Sequence, residues 1–264
     1  MSPSRKNQVA EGWSGWDAYA PFYDWENAQT VGRRDIAFWR GLATAQDGRV
    51  LELGCGTGRI LIPAVKAGAH VVGVDRSAEM LQRGRRRARR STVAGTAALV
   101  RGDIRALPFR PRPGFSLVMA PYGILQSLTR EADLRATLES VHRVLRRGGT
   151  FGIDLVPDLP RWSEYERRIS LRGSRGRSTR VTLIESVRQD RARRLTIFDH
   201  EYVERREGRK RVHTFSLTFR TLSVGQMSQR LENAGFRVRA VLGDYRGGPW
   251  DLRSDVWVIL AERL

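Results

Sequence analysis

From Arg49 to Ile153, short apolar runs alternate with helical patterns. The runs are VLEL (50–53), VVGV (71–74), ALV (98–100), SLVMA (116–120) and GTFGIDLV (149–156), and stretches near 59–67, 77–90 and 131–146 carry the helical period between them. Near-continuous apolar strands separated by helices predict a parallel sheet covered on both faces. After Pro160 the rhythm changes. RRISLRG, RVTLIESV, LTIFDHEYVE and RVHTFSLTFRTL alternate with period two and are divided by the turn-like clusters GSRGRS, QDRAR and EGRK, which predicts an antiparallel insertion. In the last run Phe215, Leu217 and Phe219 fall opposite Thr214, Ser216 and Thr218, so one side of that sheet is buried. The pattern does not say against what. The helical period returns over 223–235, ended by Gly235, and 236–245 and 255–264 read as a closing hairpin on the first sheet.

Composition narrows the class. A chain of 264 residues, 41% hydrophobic, can bury the core of one large domain or of a domain with an insertion, which excludes disorder throughout. Lys and Arg number 47 against 28 Asp and Glu, for a net charge of +19 and a pI near 11.4. Only Lys6, Lys66 and Lys210 are lysines, so part of that charge reflects arginine-rich codon usage. The rest permits nucleic acid, anionic lipid or an acidic partner. Cys55 is the single cysteine, which removes intramolecular disulfides and cysteine metal clusters; no metal site is expected, and a reducing, cytoplasmic compartment fits. The first residues lack an apolar segment of signal length, and no run of 18 apolar residues occurs, so the expectation is a soluble intracellular protein without a membrane partner.

The sharpest local feature is VLELGCGTGRI (50–60), where a strand ends at Leu53, Gly54, Gly56 and Gly58 follow, and a helix begins. Glycines there permit positive φ and let backbone N–H groups approach a ligand. Downstream, VVGVD puts Asp75 at the end of the next strand, where a carboxylate accepts from both ribose hydroxyls of a nucleoside. Two nucleoside-binding classes share this layout. A dinucleotide oxidoreductase carries G-x-G-x-x-G; here the third glycine comes one residue earlier and Glu52 precedes the loop. That negative charge disfavours a diphosphate and favours a cationic ligand bearing an amino-acid group.

ELGCGTG, VVGVD, RGDIRALPF (101–109), FSLVMAPYGILQSL (115–128) and VLRRGGTFGIDL (144–155), in that order, resemble the motif series of class I S-adenosylmethionine-dependent methyltransferases over roughly residues 45–156 and the terminal hairpin. The resemblance implies S-adenosyl-L-methionine as cofactor. It implies that Glu52, Gly54, Cys55, Gly56 and Gly58 line its methionine part, that Asp75 holds the ribose with Arg76 beside it, and that Met80 packs near the adenine. Asp103 matches the acid that takes the adenine amino group, Ile104 supplies a backbone contact, and Ala120, Pro121 and Tyr122 stand at the mouth where the methyl group points. The segment WDAYAPFYDWENA resembles the N-terminal lid of small-molecule enzymes of this class, with Tyr19 and Tyr23 over the cofactor and Arg33 or Arg34 on its carboxylate. Plain packing of these aromatics against the sheet is the alternative.

Methyl transfer from a sulfonium is an in-line displacement in which the protein chiefly aligns two groups and excludes water. A general base is needed only for some acceptors. Asp154 and Gln126 follow strands on the carboxyl edge, where open α/β folds bind ligands, and Tyr122 offers a ring face to an amine. His200 shares a strand face with Phe198 and Tyr202; it is a candidate base, against the plainer reading of a surface or interface histidine.

A nucleic-acid substrate is the competing class, because QRGRRRARR (82–90) and the arginine-rich insertion attract phosphates. Against it, the exocyclic-amine enzymes resemble an N/D-P-P-Y/F motif where this chain has Ala120-Pro121-Tyr122-Gly123, and Cys55 lies within the glycine loop, so it is no C5 nucleophile. Methylation of a protein also stays open. The expected molecule is an α/β protein with a Rossmann-like, mostly parallel seven-stranded sheet, helices on both faces and an inserted antiparallel β-sheet. Its expected parts are a helical, aromatic lid (1–44), the cofactor-binding core (45–160), the insertion as acceptor roof or homodimer interface (161–222), and the final helix and hairpin (223–264). Its expected activity is methyl transfer to a small-molecule acceptor, nitrogen ahead of oxygen, with RNA or protein as the alternative acceptor.

Overall fold

In a computed structural model, which describes residues 15–30, 34–91, 94–111, 114–155, 163–176, 178–254 and 256–264, the apolar runs become strands of one sheet. β1 (Val50–Leu53), β2 (His70–Asp75), β3 (Thr96–Arg101), β4 (Phe115–Ala120) and β5 (Leu145–Leu155) pair in parallel. β10 (Phe236–Leu242) and β11 (Trp257–Arg263) close the edge, with β11 antiparallel to both β5 and β10, and the strand order is β10-β11-β5-β4-β1-β2-β3. Every residue of β1 and β4 is buried, as central strands covered on both faces must be.

The helices that cover the sheet are α2 (Arg34–Thr44), α3 (Leu61–Lys66) and α4 (Ala78–Arg89) on one face, and α5 (Glu131–Val144) and α6 (Val224–Asn233) on the other. Trp39, Leu61, Val65 and Leu81 fill the first layer, and Leu134, Leu138, Met227 and Leu231 the second. Ser223 starts α6 with a reciprocal capping box to Gln226. The chain passes from the β1-β2-β3 side to β4 on the other side of β1. That reversal opens a crevice at the carboxyl ends of β1 and β4.

Between β5 and α6 lies a second, antiparallel sheet of β6 (Tyr165–Arg175), β7 (Thr179–Asp190), β8 (Leu195–Arg206) and β9 (Arg209–Arg220), in sequence order. The β8–β9 hairpin turns on Glu207 and Gly208, both at positive φ, the two-residue turn whose twist suits paired strands. Val181, Leu183, Tyr202 and Leu217 pack against Tyr19, Ala20 and Phe22 of α1 (Trp16–Thr30). The face that the alternation predicted to be buried therefore covers the aromatic N-terminal helix. The Phe22 ring stacks on Tyr202 at 4.3 Å, and Arg175 pairs with Glu204 while its guanidinium lies over Phe22.

The other end of α1 is tied to the main sheet. Asp17 Oδ1 accepts from Ser77 Oγ at 2.5 Å and from the Glu79 amide at 3.2 Å, at the start of α4. Asp24 Oδ1 accepts from Thr57 Oγ1 at 2.7 Å and from Arg87 Nη1 at 3.1 Å. α1 thus spans from the glycine loop to the second sheet. No helix among the described residues is long and apolar enough to cross a membrane.

Candidate cofactor site

The glycine loop turns from β1 into α3 with Gly54, Gly56 and Gly58 at φ of +62°, +52° and +79°. These angles are costly for any residue with a Cβ, and at Gly54 a Cβ would also stand 2.6 Å from Ile124 Cδ1. Asp75 braces the loop: its Oδ2 accepts from the Gly56 amide and its Oδ1 from the Ser77 amide, each at 2.8 Å. Burial raises its pKa while these amides oppose the rise. Each oxygen of an ionised carboxylate can accept more than once, so Asp75 keeps capacity for hydroxyl donors.

The crevice is a cavity of about 610 Å³ between the sheet's carboxyl edge, α1 and β9. Glu52, Gly54, Cys55 and Gly56 line it at the loop, Asp75, Arg76 and Met80 beside it, and Asp103 and Ile104 along the next strand end. Trp16, Tyr23, Pro121, Tyr122 and Phe219 line the rest. Tyr122, at φ 61°, and Gly123 carry the chain out of β4 in the left-handed region, which turns the Tyr122 ring onto the cavity.

Two buried ionisable groups face this space with unmet bonds. Glu52 is 2% exposed and its Oε2 has no hydrogen-bond partner among the described residues. Burial pushes its pKa up to about 8, although the Arg59 guanidinium draws it down. Arg59 binds Asp35 Oδ2 through Nη2 at 2.5 Å and lies 4.9 Å over the Tyr122 ring, yet its Nη1 is buried without a partner among the described residues. Beside it, burial pushes the Tyr23 hydroxyl to about 12, so the phenol stays protonated.

Of the residues expected at the site, Tyr23, Glu52, Gly54, Cys55, Gly56, Asp75, Arg76, Met80, Asp103, Ile104 and Tyr122 line the cavity. Asp103 is held by the Arg105 guanidinium at 2.8 Å and by Arg76 at 3.3 Å, and these cations lower its pKa against the effect of burial. The other expected residues lie elsewhere. Tyr19 donates to Glu26 in the layer between α1 and the second sheet, Gly58 sits behind the loop against Ile62, and Ala120 is fully buried in β4. Gln126 is buried in the 3-10 turn (Ile124–Ser127).

Asp154 lies behind the cavity wall, where its carboxylate accepts from the Gly123 amide at 2.9 Å, Tyr245 Oη at 2.8 Å and Trp39 Nε1 at 3.2 Å; burial raises its pKa to about 6 against those bonds. His200 is buried on the α1-facing side of β8, with Nε2 2.8 Å from Glu185 Oε2 and its ring 6.3 Å from that of Tyr19. Arg33 falls outside the described residues, as does the Arg34 side chain. Sequence reasoning passed over Arg59, which stands one residue after the last loop glycine. A buried Glu52 in need of a counter-charge is the signal that points to it.

These residues fit a cofactor with a nucleoside and an amino-acid end. Asp75 and Asp103 are acceptors at one end, and the unmet Glu52 Oε2 and Arg59 Nη1 suit an ammonium and a carboxylate at the other. A methyltransferase domain model matches residues 50–149. The chain is 28% identical over 249 residues to the cypemycin N-terminal methyltransferase of a Streptomyces species, covering 91% of this chain and 94% of that one. It is 34% identical over 105 residues to an uncharacterised protein of Mycobacterium tuberculosis, covering 40% of this chain and 36% of the other, so it matches little more than a third of that relative's length. In fold it is similar to the CcbJ methyltransferase of Streptomyces caelestis, with a TM-score of 0.76 at 21% identity over 94% of this chain and 96% of that one. The matched domain, the five ordered motifs and the strand order support a class I S-adenosylmethionine-dependent methyltransferase, with S-adenosylmethionine as its cofactor.

Proposed function

We propose that the protein transfers a methyl group to a nitrogen atom of a small-molecule acceptor bound in the cavity beneath α1. The observation that carries this reading is the pair of unmet buried polar atoms, Glu52 Oε2 and Arg59 Nη1, in the same cavity as Asp75 and an aromatic end at Trp16, Tyr122 and Phe219. When bound, the cofactor supplies an electrophilic methyl group on a sulfonium.

In this reading Glu52 receives the cofactor's ammonium and Arg59 its carboxylate, while the backbone at Gly54 to Gly56 lies close against the chain between them. Asp75 accepts from the ribose hydroxyls, and Asp103 and Ile104 edge the adenine. The cofactor's position is then fixed at both ends, which aligns the reacting bond. Tyr122, Pro121 and Phe219 exclude water from the acceptor and present ring faces to it.

The size of the cavity falls within the roughly 300–1,000 Å³ of small-molecule sites. Nitrogen is favoured over oxygen because the aromatic end has no histidine among the described lining residues and its neighbouring carboxylate, Asp17, is engaged by Ser77 and the Glu79 amide. An amine reaches its neutral form by losing a proton to water, whereas a hydroxyl acceptor relies on a base worth about 10²–10⁴-fold. The relative named as an N-terminal methyltransferase supports the same choice. The test is transfer of radiolabelled methyl groups into a cell extract fractionated by size. Label is expected in the small-molecule fraction as an N-methyl amine, and label chiefly in RNA or protein would overturn the proposal.

A further inference from the structure

We propose that a second site, where α2, α3 and the C-terminal end of α4 meet at the surface, binds an organic phosphate monoester and is linked to the docking of α1. A depression of about 610 Å³ lies there and shares no lining residue with the cofactor cavity. Its floor is Ile62, Pro63 and Ala67, and its rim carries Arg40, Lys66, Arg87 and Arg90. Arg40, Lys66 and Arg90 are exposed and have no ion-pair partner among the described residues.

Charge counting selects the ligand. Of the four rim cations, Arg87 is matched by Asp24 at 3.1 Å. The carboxyl ends of α3 and α4 together offset roughly one further charge, at about half an elementary charge each. About two positive charges remain over an apolar floor. A phosphate monoester, with a charge of roughly −1.5 to −2 and an organic body, matches both features; a neutral ligand would leave the cations unmatched, and a bare anion would leave the floor uncovered.

The link to α1 runs through Arg87. Its Nη1 donates to Asp24 Oδ1 at 3.1 Å and to Thr57 Oγ1 at 3.0 Å, and so joins α1, the glycine loop and the rim of the depression. Guanidinium has five donors in a rigid fork, so Nε and Nη2 can hold a phosphate while Nη1 holds Asp24. A bound phosphate then fixes Arg87 in the orientation that clasps α1 over the cofactor cavity. Linkage is reciprocal, so phosphate and cofactor each tighten the other.

Calorimetry with phenyl phosphate, inorganic phosphate and an RNA oligomer tests this on the full chain. The parent protein is expected to bind phenyl phosphate at least tenfold more tightly than a K66A/R90A double variant, and more tightly than inorganic phosphate. Both substituted residues are exposed and outside the cofactor cavity, so S-adenosylhomocysteine without phosphate should bind the variant as it binds the parent. With phenyl phosphate present, S-adenosylhomocysteine should bind the parent about fivefold more tightly, and the variant no more tightly. Equal phenyl phosphate affinity in parent and variant would overturn the site. RNA binding that is tighter, steeply salt-dependent and lost in the variant would replace it with a nucleic-acid surface. Unchanged S-adenosylhomocysteine affinity with phosphate bound would overturn the link to α1.

Discussion

Glu52 and Arg59, on either side of the glycine loop, line one cavity and each keeps a buried polar atom without a partner among the described residues. A site left this way is poised for a ligand and costly to maintain. Burial holds the Glu52 carboxyl at about 8, above its ordinary 4.5, so the folded state resists its ionisation. A raised carboxyl pKa favours the folded state below about pH 4.5, and that advantage is lost as pH rises to about 8. At pH 7 the cost is on the order of 3 kcal/mol. Glu52→Gln is therefore expected to raise the melting temperature at pH 7 and to leave it close to the parent's below pH 4.5. The same variant should bind S-adenosylhomocysteine at least tenfold more weakly. A variant that melts earlier at pH 7 would show that the carboxylate is stabilising.

Ligand binding should also expel that proton. If an ammonium pairs with Glu52, the carboxyl must ionise, and at pH 7 a group titrating near 8 is about nine-tenths protonated. Calorimetry of S-adenosylhomocysteine in two buffers of different ionisation enthalpy is expected to show release of nearly one proton at pH 7, declining towards pH 9 as Glu52 ionises beforehand. In Glu52→Gln the release should vanish. Equal release by parent and variant would place the proton elsewhere.

Arg59 holds Asp35 at 2.5 Å, and Asp35 is only 4% exposed. Truncating Arg59 to Ala would strand that carboxylate at about 3–5 kcal/mol and confuse binding with stability. Arg59→Lys keeps the charge but loses the fork that can serve Asp35 and a ligand carboxylate together. The expected result is a melting temperature within a few degrees of the parent's and S-adenosylhomocysteine binding about 10–100-fold weaker, the range of one charged hydrogen bond. Unchanged affinity would remove Arg59 from the site.

The strands and helices of the main sheet were legible because burial on two faces writes itself as apolar runs, and the glycine loop because positive φ selects its residues. Topology also located Asp154 and Gln126 at the right edge of the sheet. It could not say which way their side chains turn, which depends on Trp39 and Tyr245, 115 and 91 residues from Asp154. The alternation in β9 marked a buried face, while its occupant, α1, lies more than 180 residues earlier, as the Tyr19–Phe215 ring contact at 5.3 Å shows. Arg59 looked like the first turn of a helix. Its role emerges only when the Glu52 side chain beside it is seen to be buried.

Asp154 acts through the residues it holds. Its carboxylate fixes the Gly123 amide, directly after Tyr122, whose left-handed backbone aims its ring at the cavity. All three of its partners are donors, so Asp154→Asn replaces one acceptor with a donor and costs about 1–3 kcal/mol. The expected result is a lower melting temperature with S-adenosylhomocysteine affinity within about threefold of the parent's, since the nucleoside end is untouched, and a raised KM for the acceptor once that is known. A large loss of cofactor affinity at unchanged stability would instead make Asp154 a direct ligand.

The clasp of α1 can be opened at one atom. Thr57 is fully buried in the glycine loop, and its hydroxyl joins Asp24 at 2.7 Å and Arg87 at 3.0 Å. Thr57→Val keeps the shape and removes the hydroxyl, leaving at Asp24 only the half-exposed Arg87 ion pair, and such surface pairs contribute about 0–1 kcal/mol; the Asp17 bonds to Ser77 and Glu79 stay in place. The aromatic contacts of Phe22 and Tyr202 hold the other end of α1. Local opening is then expected without global unfolding, because stability differs between segments of one structure. Amide hydrogen exchange should quicken across Trp16–Thr30 and stay at parental rates in β1 and β4, and S-adenosylhomocysteine should restore part of the protection by filling the cavity that α1 covers. Faster exchange throughout the sheet would mean that Thr57 stabilises the core, and unchanged exchange in α1 would mean that the Asp17 bonds and the aromatic contacts hold it in place without the Thr57 hydroxyl.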